Sequence, residues 1–286
     1  MSDPNACSQE VNRPGLPETA SGVQPAAPFL AGLRRILDPP ADWLDRPTLG
    51  RMAFAAFVTA AGMACYGYAI GCWRSPLMGV YVAIKMPLLV GLTLTFNSLL
   101  NGLLALLLGS GLGFRQSFLA LLTSFAIMAL ILGSLAPVAW MISWNTPPPD
   151  SEDAMEAHRI HLLLHTLLIA LAGVWGNLRL HRLLRERTTG GTAATATLLA
   201  WLGGNCFLGA QFSYILRPFF GTPGLEVEFL RADPLDGSFH EAVWRMLDDA
   251  TNGMALPVLS VALVSLLIPV VLSLQSRRDQ PATKTT

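Results

Sequence analysis

The chain has 286 residues, 52% of them apolar and only 13% charged, and its 19 basic and 19 acidic side chains leave no net charge. Soluble domains carry about 25% charged residues, so this composition excludes an ordinary water-soluble fold and points to lipid. The balanced charge supplies no global field for nucleic acid or for a strongly acidic partner.

Residues 1–28 are rich in Pro, Ser, Gly and Asn and contain no apolar h-region. They read as a disordered tail and not as a cleaved signal peptide. Residues 29–50 follow as an interfacial amphipathic helix and linker. Phe29, Leu30, Leu33, Ile36 and Leu37 recur at helical spacing beside Arg34 and Arg35, and Pro39-Pro40 ends the run. The segment is too short to span and suits the headgroup region.

Six apolar segments then reach spanning length, which takes about 20 residues. They lie near 52–73, 80–107, 117–141, 160–182, 194–216 and 254–275. The expected fold is an all-α polytopic transmembrane helical bundle of about six spans, with its transmembrane domain over 51–276 and a polar C-terminal tail over 277–286. Pro87, two residues after Lys85, predicts a kink or tilted entry in the second span. Cys65, Cys72 and Cys206 lie in or beside apolar runs and read as small packing residues.

One substantial stretch outside the spans, 217–253, predicts a small ordered cap on the outer face. Arg217, Pro218, Phe219 and Phe220 open it, and Pro and Gly mark turns. Leu225 to Phe229 alternates as a short strand would. Ser238 reads as an N-cap with Glu241 three residues on, so a short amphipathic helix follows, with Val243, Trp244 and Leu247 toward the membrane.

Orientation follows from Lys and Arg. With both termini cytoplasmic, 13 of the 19 basic residues fall inside; Arg74, Lys85, Arg159, Arg217, Arg231 and Arg245 fall outside. Acidic residues run the other way, most visibly over 150–156. Trp73, Trp140, Trp144 and Trp244 cluster at the outer boundaries and Trp43 and Trp175 near the inner one, as aromatic belts require.

Few polar groups inside the spans suggest chemistry. His158, His161 and His165 share one helical stripe and form a candidate site for zinc, copper or iron, with Glu156 or Asp153 to complete the shell. The same spacing suits an interfacial helix start with ordinary histidines, and no HExxH motif is present. No cofactor other than such a metal is implied.

Lys85, Thr93, Asn97 and Asn101 form a polar intramembrane stripe in the second span. It reads either as interhelical hydrogen-bond glue or as a transport path. Gly67 with Gly71, and Gly203, Gly204 and Gly209, mark faces where neighbouring helices approach closely. Ser75, Ser143 and Ser238 lack a local His and Asp motif, so nucleophilic catalysis finds no support.

AIKMPLLVGLTLTFNSLLNGLL (83–104), GFRQSFLALL (113–122) and GAQFSYILRPFFGTPGLEVEFLR (209–231) together resemble a family of bacterial multi-pass inner-membrane proteins. The KMPLL element and the LRPFFGTPG turn carry the resemblance. It implies an inner-membrane location and transfers no activity. The second and third spans also resemble those of Yip1-type membrane proteins, which leans toward an organising role.

The reading that fits these features is a non-enzymatic membrane component, a subunit or assembly factor of a larger complex. Its partners would be the bilayer and another membrane protein or a second copy of the chain. The rivals are a channel or small-solute transporter along the Lys85 stripe, and a metal-binding protein or enzyme at the outer histidines.

Overall fold

The computed structural model describes residues 28–40, 42–107, 113–185 and 191–250. Seven helices occupy them: α1 (Pro28–Leu37), α2 (Leu49–Gly71), α3 (Pro76–Leu107), α4 (Phe114–Asn145), α5 (Ala154–Arg185), α6 (Gly191–Leu216) and α7 (Phe239–Ala250). Four helices are long and apolar enough to cross a membrane: α2, α3 as far as Leu100, α4 and α5. The protein is therefore an integral membrane protein with at least these four candidate spans. The 26-residue α6 covers the fifth apolar segment. The sixth segment, 254–275, and the tails over 1–27 and 277–286 lie outside the described residues.

Local chemistry sets the helix starts. Thr48 Oγ1 accepts the Arg51 N–H at 3.3 Å ahead of α2. Ser75 Oγ accepts the Met78 N–H at 3.0 Å ahead of α3, whose first residue is Pro76, where a missing N–H costs nothing. Gln116 Oε1 takes the Gly113 N–H at 2.9 Å ahead of α4. Pro87 and Pro137 lie inside α3 and α4, each of which runs on as one helix. Membrane helices tolerate such prolines because neighbours take up the freed backbone groups.

Helix α2 packs most extensively on α4 and α3; α4 also packs on α5, and α3 on α6. Small residues permit the closest crossings. A Cβ on Gly67 would stand 2.7 Å from the Val82 carbonyl oxygen, and one on Gly71 2.8 Å from that of Met78, so the GxxxG pair does face α3. A Cβ on Gly62 would overlap the Ala129 backbone of α4. Gly204 sits against the Asn97 side chain, Gly209 meets Thr93 at ordinary contact distance, and Gly203 faces open space. The predicted small-residue face of the fifth segment is thus a contact at Gly204 and Gly209 only.

Several expectations need correction. Leu225 to Phe229 forms no strand, its two end residues being bends, and no strand occurs among the described residues. Its ends are held by side chains. Arg74 Nη2 donates to the Leu225 carbonyl at 2.7 Å, and the Phe229 ring meets Tyr81 edge-on at 5.3 Å.

Trp43 and Trp73 are not interfacial anchors. Both are buried, with Trp43 Nε1 donating to Thr123 Oγ1 at 3.0 Å and Trp73 Nε1 to the Pro147 carbonyl at 3.0 Å. Trp140, Trp144 and Trp175 remain exposed, as a belt requires. Cys65 and Cys206 are exposed on the helix surfaces, while Cys72 alone packs, against Gly79.

Candidate functional site beneath the cap

The non-helical chain after α6 is half-buried or exposed along most of its length, but its start meets the bundle at Lys85. Lys85 sits nine residues into α3, roughly 13 Å along the helix axis from Pro76. There its side chain is fully buried, and its Nζ donates to the Pro218 carbonyl at 2.7 Å. The Phe219 and Phe229 rings flank the ammonium at 5.9 and 5.1 Å. Gly221, at φ +67°, turns the chain back toward Arg74 and Met78, where a Cβ would stand 2.9 Å from Arg74 Cγ.

Irregular backbone at membrane depth is tolerated only where protein surrounds it and its polar groups are satisfied. Lys85 supplies such a partner for the Pro218 carbonyl. It does not snorkel, and among the described residues it has no carboxylate partner.

Phe220 carries the turn to the histidines. Its ring lies 5.9 Å from His161, edge-on, and 6.4 Å from His165, stacked. The spacing that puts the three imidazoles on one stripe turns them into the protein, where His161 and His165 are buried. His161 Nε2 lies 3.1 Å from the Ile70 carbonyl. A carbonyl only accepts, so Nε2 holds the proton and Nδ1 keeps the lone pair.

His165 Nδ1 lies 2.8 Å from the Tyr66 hydroxyl, and the His161 and His165 rings are 4.3 Å apart. Trp73 stacks on His158 and His161 at 5.7 and 5.5 Å. His158 Nδ1, His161 Nδ1 and His165 Nε2 are buried with no bonding partner among the described residues.

A metal needs a convergent donor set, and among the described residues no three His, Cys, Asp or Glu groups converge. Glu156, suggested by sequence as a further ligand, is exposed and pairs with Arg159 at 3.6 Å. What the arrangement provides is a buried aromatic and imidazole cluster tying α2, α5 and the cap.

The polar stripe continues down α3 against α6. Thr93 Oγ1 returns its proton to the Leu89 carbonyl at 2.8 Å. Asn97 Nδ2 donates to the Trp201 carbonyl at 3.2 Å and to Asn205 Oδ1. Asn101 lies in α3 but its side chain is outside the described residues. Asn205 was the missed member of this set; its place beside Gly204 on α6 was visible, its register against Asn97 was not.

At the cap's far side Ser238 Oγ accepts the Glu241 N–H at 3.1 Å, as an N-cap should. The Glu241 carboxylate turns to Arg245 at 3.1 Å, so that carboxylate is engaged away from the helix start. Arg217 and Arg231 both lie over the Tyr214 ring, at 3.9 and 4.7 Å. Trp244 is half-buried on α7. The three serines weighed for catalysis all have structural roles: Ser75 and Ser238 as caps, and Ser143 Oγ bonded to the Ala69 carbonyl at 2.9 Å.

Fold and site together define a multi-span helical membrane protein with a half-buried turn seated on a buried lysine. Searches against family models, curated proteins and solved structures give no match.

Proposed function

We propose that the chain is a six-span, non-enzymatic component of a bacterial inner membrane, with both termini cytoplasmic, acting as a subunit or assembly factor of a larger membrane complex. The span number rests on α6 and the apolar stretch 254–275 beyond the four candidate spans. The location rests on the resemblance carried by KMPLL and LRPFFGTPG.

The observation that carries the assembly role is α5. Only 22% of its apolar stretch is buried, against 44–50% for the other three candidate spans. Ile160, Leu163, Leu167, Leu171, Val174 and Leu178 stand exposed at steps of three or four residues. Such a stripe is the ridge that a second membrane helix packs against, by van der Waals contact and not by hydrophobic drive.

A photo-crosslinking residue at position 167, activated in native membranes, tests the role. A discrete protein adduct is expected, identified after gentle-detergent purification as a partner or a second copy. Adducts to lipid alone would overturn it.

Transport along Lys85, Thr93, Asn97 and Asn101 is the second reading, favoured by Asn97 Oδ1, Ser117 Oγ and Thr197 Oγ1, which are buried without a partner among the described residues. Against it stands the Pro218–Phe220 turn seated on Lys85. Solute flux into vesicles holding the purified protein, lost in Asn97→Ala, would favour transport over assembly.

A further inference from the structure

Between α1 and the start of α2 lies a cavity of about 590 Å³, lined by Arg34, Arg35 and Arg51 with Asp38, Asp42 and Trp43. Its size falls within the range of small-ligand sites. Three guanidiniums outnumber the two carboxylates, and Asp38 is already engaged by Arg179 from α5 at 3.3 Å. Arg51 is fixed in place: Nη1 donates to the Trp43 carbonyl at 3.0 Å and to that of Arg46 at 3.2 Å, and its guanidinium lies 5.0 Å over the Trp43 ring. Arg34 and Arg35 are exposed and, among the described residues, have no ion-pair partner.

The helix that supplies them is divided by face. Leu33 and Ile36 pack into the core of the bundle, whereas Phe29, Leu30 and Leu37 stand 50%, 57% and 43% exposed. A helix with apolar side chains outside its own core contact and paired arginines beside them lies in a membrane surface. Planar guanidinium groups bind phosphate oxygens in pairs, and lipid phosphates occupy the level at which such a helix sits.

We propose that this cavity is a binding site for the phosphate ester of an anionic glycerophospholipid, its headgroup between Arg34, Arg35 and Arg51 and its acyl chains along Phe29, Leu30 and Leu37. The site concerns one end of the bundle and does not depend on the number of spans or on a protein partner.

The experiment uses the full chain, delipidated in detergent and placed in nanodiscs of equal parts phosphatidylglycerol and phosphatidylcholine. Lipid retained after re-extraction is counted by native mass spectrometry. Wild type should keep phosphatidylglycerol in preference to phosphatidylcholine. Arg34→Ala with Arg35→Ala should reduce that preference about tenfold or more. Arg245→Ala, a basic residue lost at the opposite end, should leave it intact.

The unchanged thermal midpoint of the double variant establishes that it is folded, since neither arginine is buried. Equal retention of the two lipids overturns the proposal, as does a preference indifferent to the double substitution. Inorganic phosphate at millimolar concentration distinguishes the source. If it binds and raises the thermal midpoint while no lipid is retained, the occupant is a soluble phosphate and the lipid assignment falls.

Discussion

At the scale of single residues, Lys85 shows why an ionisable group inside a span need not be a transport residue. Desolvating a lysine in a bilayer is costly, about 2.5–3.5 kcal/mol on insertion scales. The charged hydrogen bond to Pro218, worth about 1.5–3 kcal/mol, and two ring faces worth about 0.5–2 kcal/mol each offset that cost.

Lys85→Met keeps most of the stem's volume and removes the donor, leaving the carbonyl of the half-buried Pro218 without that partner. It should lower stability by about 1–3 kcal/mol. The same variant should speed proteolysis between Thr222 and Asp236, because the turn loses its anchor. A wild-type melting midpoint and digestion rate for Lys85→Met would mean the turn is held by the rings alone.

The histidines yield a second test at this scale. Tyr66→Phe strips His165 Nδ1 of its partner and should cost about 1–2 kcal/mol. Protein purified without a polyhistidine tag should show no stoichiometric zinc, copper or iron by elemental analysis, and His161→Ala should leave that content unchanged. Near-stoichiometric metal released by His161→Ala would instead make the imidazoles ligands.

Helices and their crossings form the next scale. In a bilayer, lipid tails are as apolar as leucine, so the bundle depends on how closely backbones approach. The glycines divide by what a methyl group would meet. Gly62→Ala drives a Cβ into the Ala129 backbone of α4, and the helices must separate; a loss of about 1–3 kcal/mol is expected. At Gly91 nothing lies within 4 Å, so Gly91→Ala should be neutral or stabilise α3 by up to about 1 kcal/mol. A fall in the thermal midpoint for Gly62→Ala beside no fall for Gly91→Ala, measured in one detergent, checks this assignment; equal falls would remove it.

The helices themselves were legible because apolar length is a direct physical demand of the bilayer. So were the Ser238 cap and the aromatic docking of the turn. Other features rest on register between distant segments, which one sequence does not encode locally. Asn97 meeting Asn205, and Trp43 and Trp73 turned inward to Thr123 and the Pro147 carbonyl, are of that kind. Spacing puts the three histidines on one stripe without naming what packs against it. Periodicity gives direction on a helix, while the Trp73, Tyr66 and Phe220 rings that fill that direction come from two other segments.

For the whole molecule the decisive quantity is which end of the bundle faces the cytoplasm. The basic residues of α1, the α1–α2 linker, the first turn of α2 and the last turn of α5 gather at one end: Arg34, Arg35, Arg46, Arg51, Arg182 and Arg185. The opposite end bears the cap and the acidic turn before α5. Positive residues near span ends are retained on the cytoplasmic side, so the α1 end should lie inside and the cap outside. With six spans, both termini then share the inner side.

Single cysteines at Ser21, Ser151 and Thr285, each in a variant lacking Cys7, Cys65, Cys72 and Cys206, separate the alternatives. In intact cells a membrane-impermeant maleimide should modify only Ser151→Cys, and all three should react once the membrane is opened. Modification of Thr285→Cys from outside, with Ser21→Cys protected, would require an odd number of spans. It would leave α1 and its arginines inside but move Arg277 and Arg278 to the outer face. Modification of Ser21→Cys and Thr285→Cys from outside, with Ser151→Cys protected, would reverse the bundle and place the Lys85 turn toward the cytoplasm.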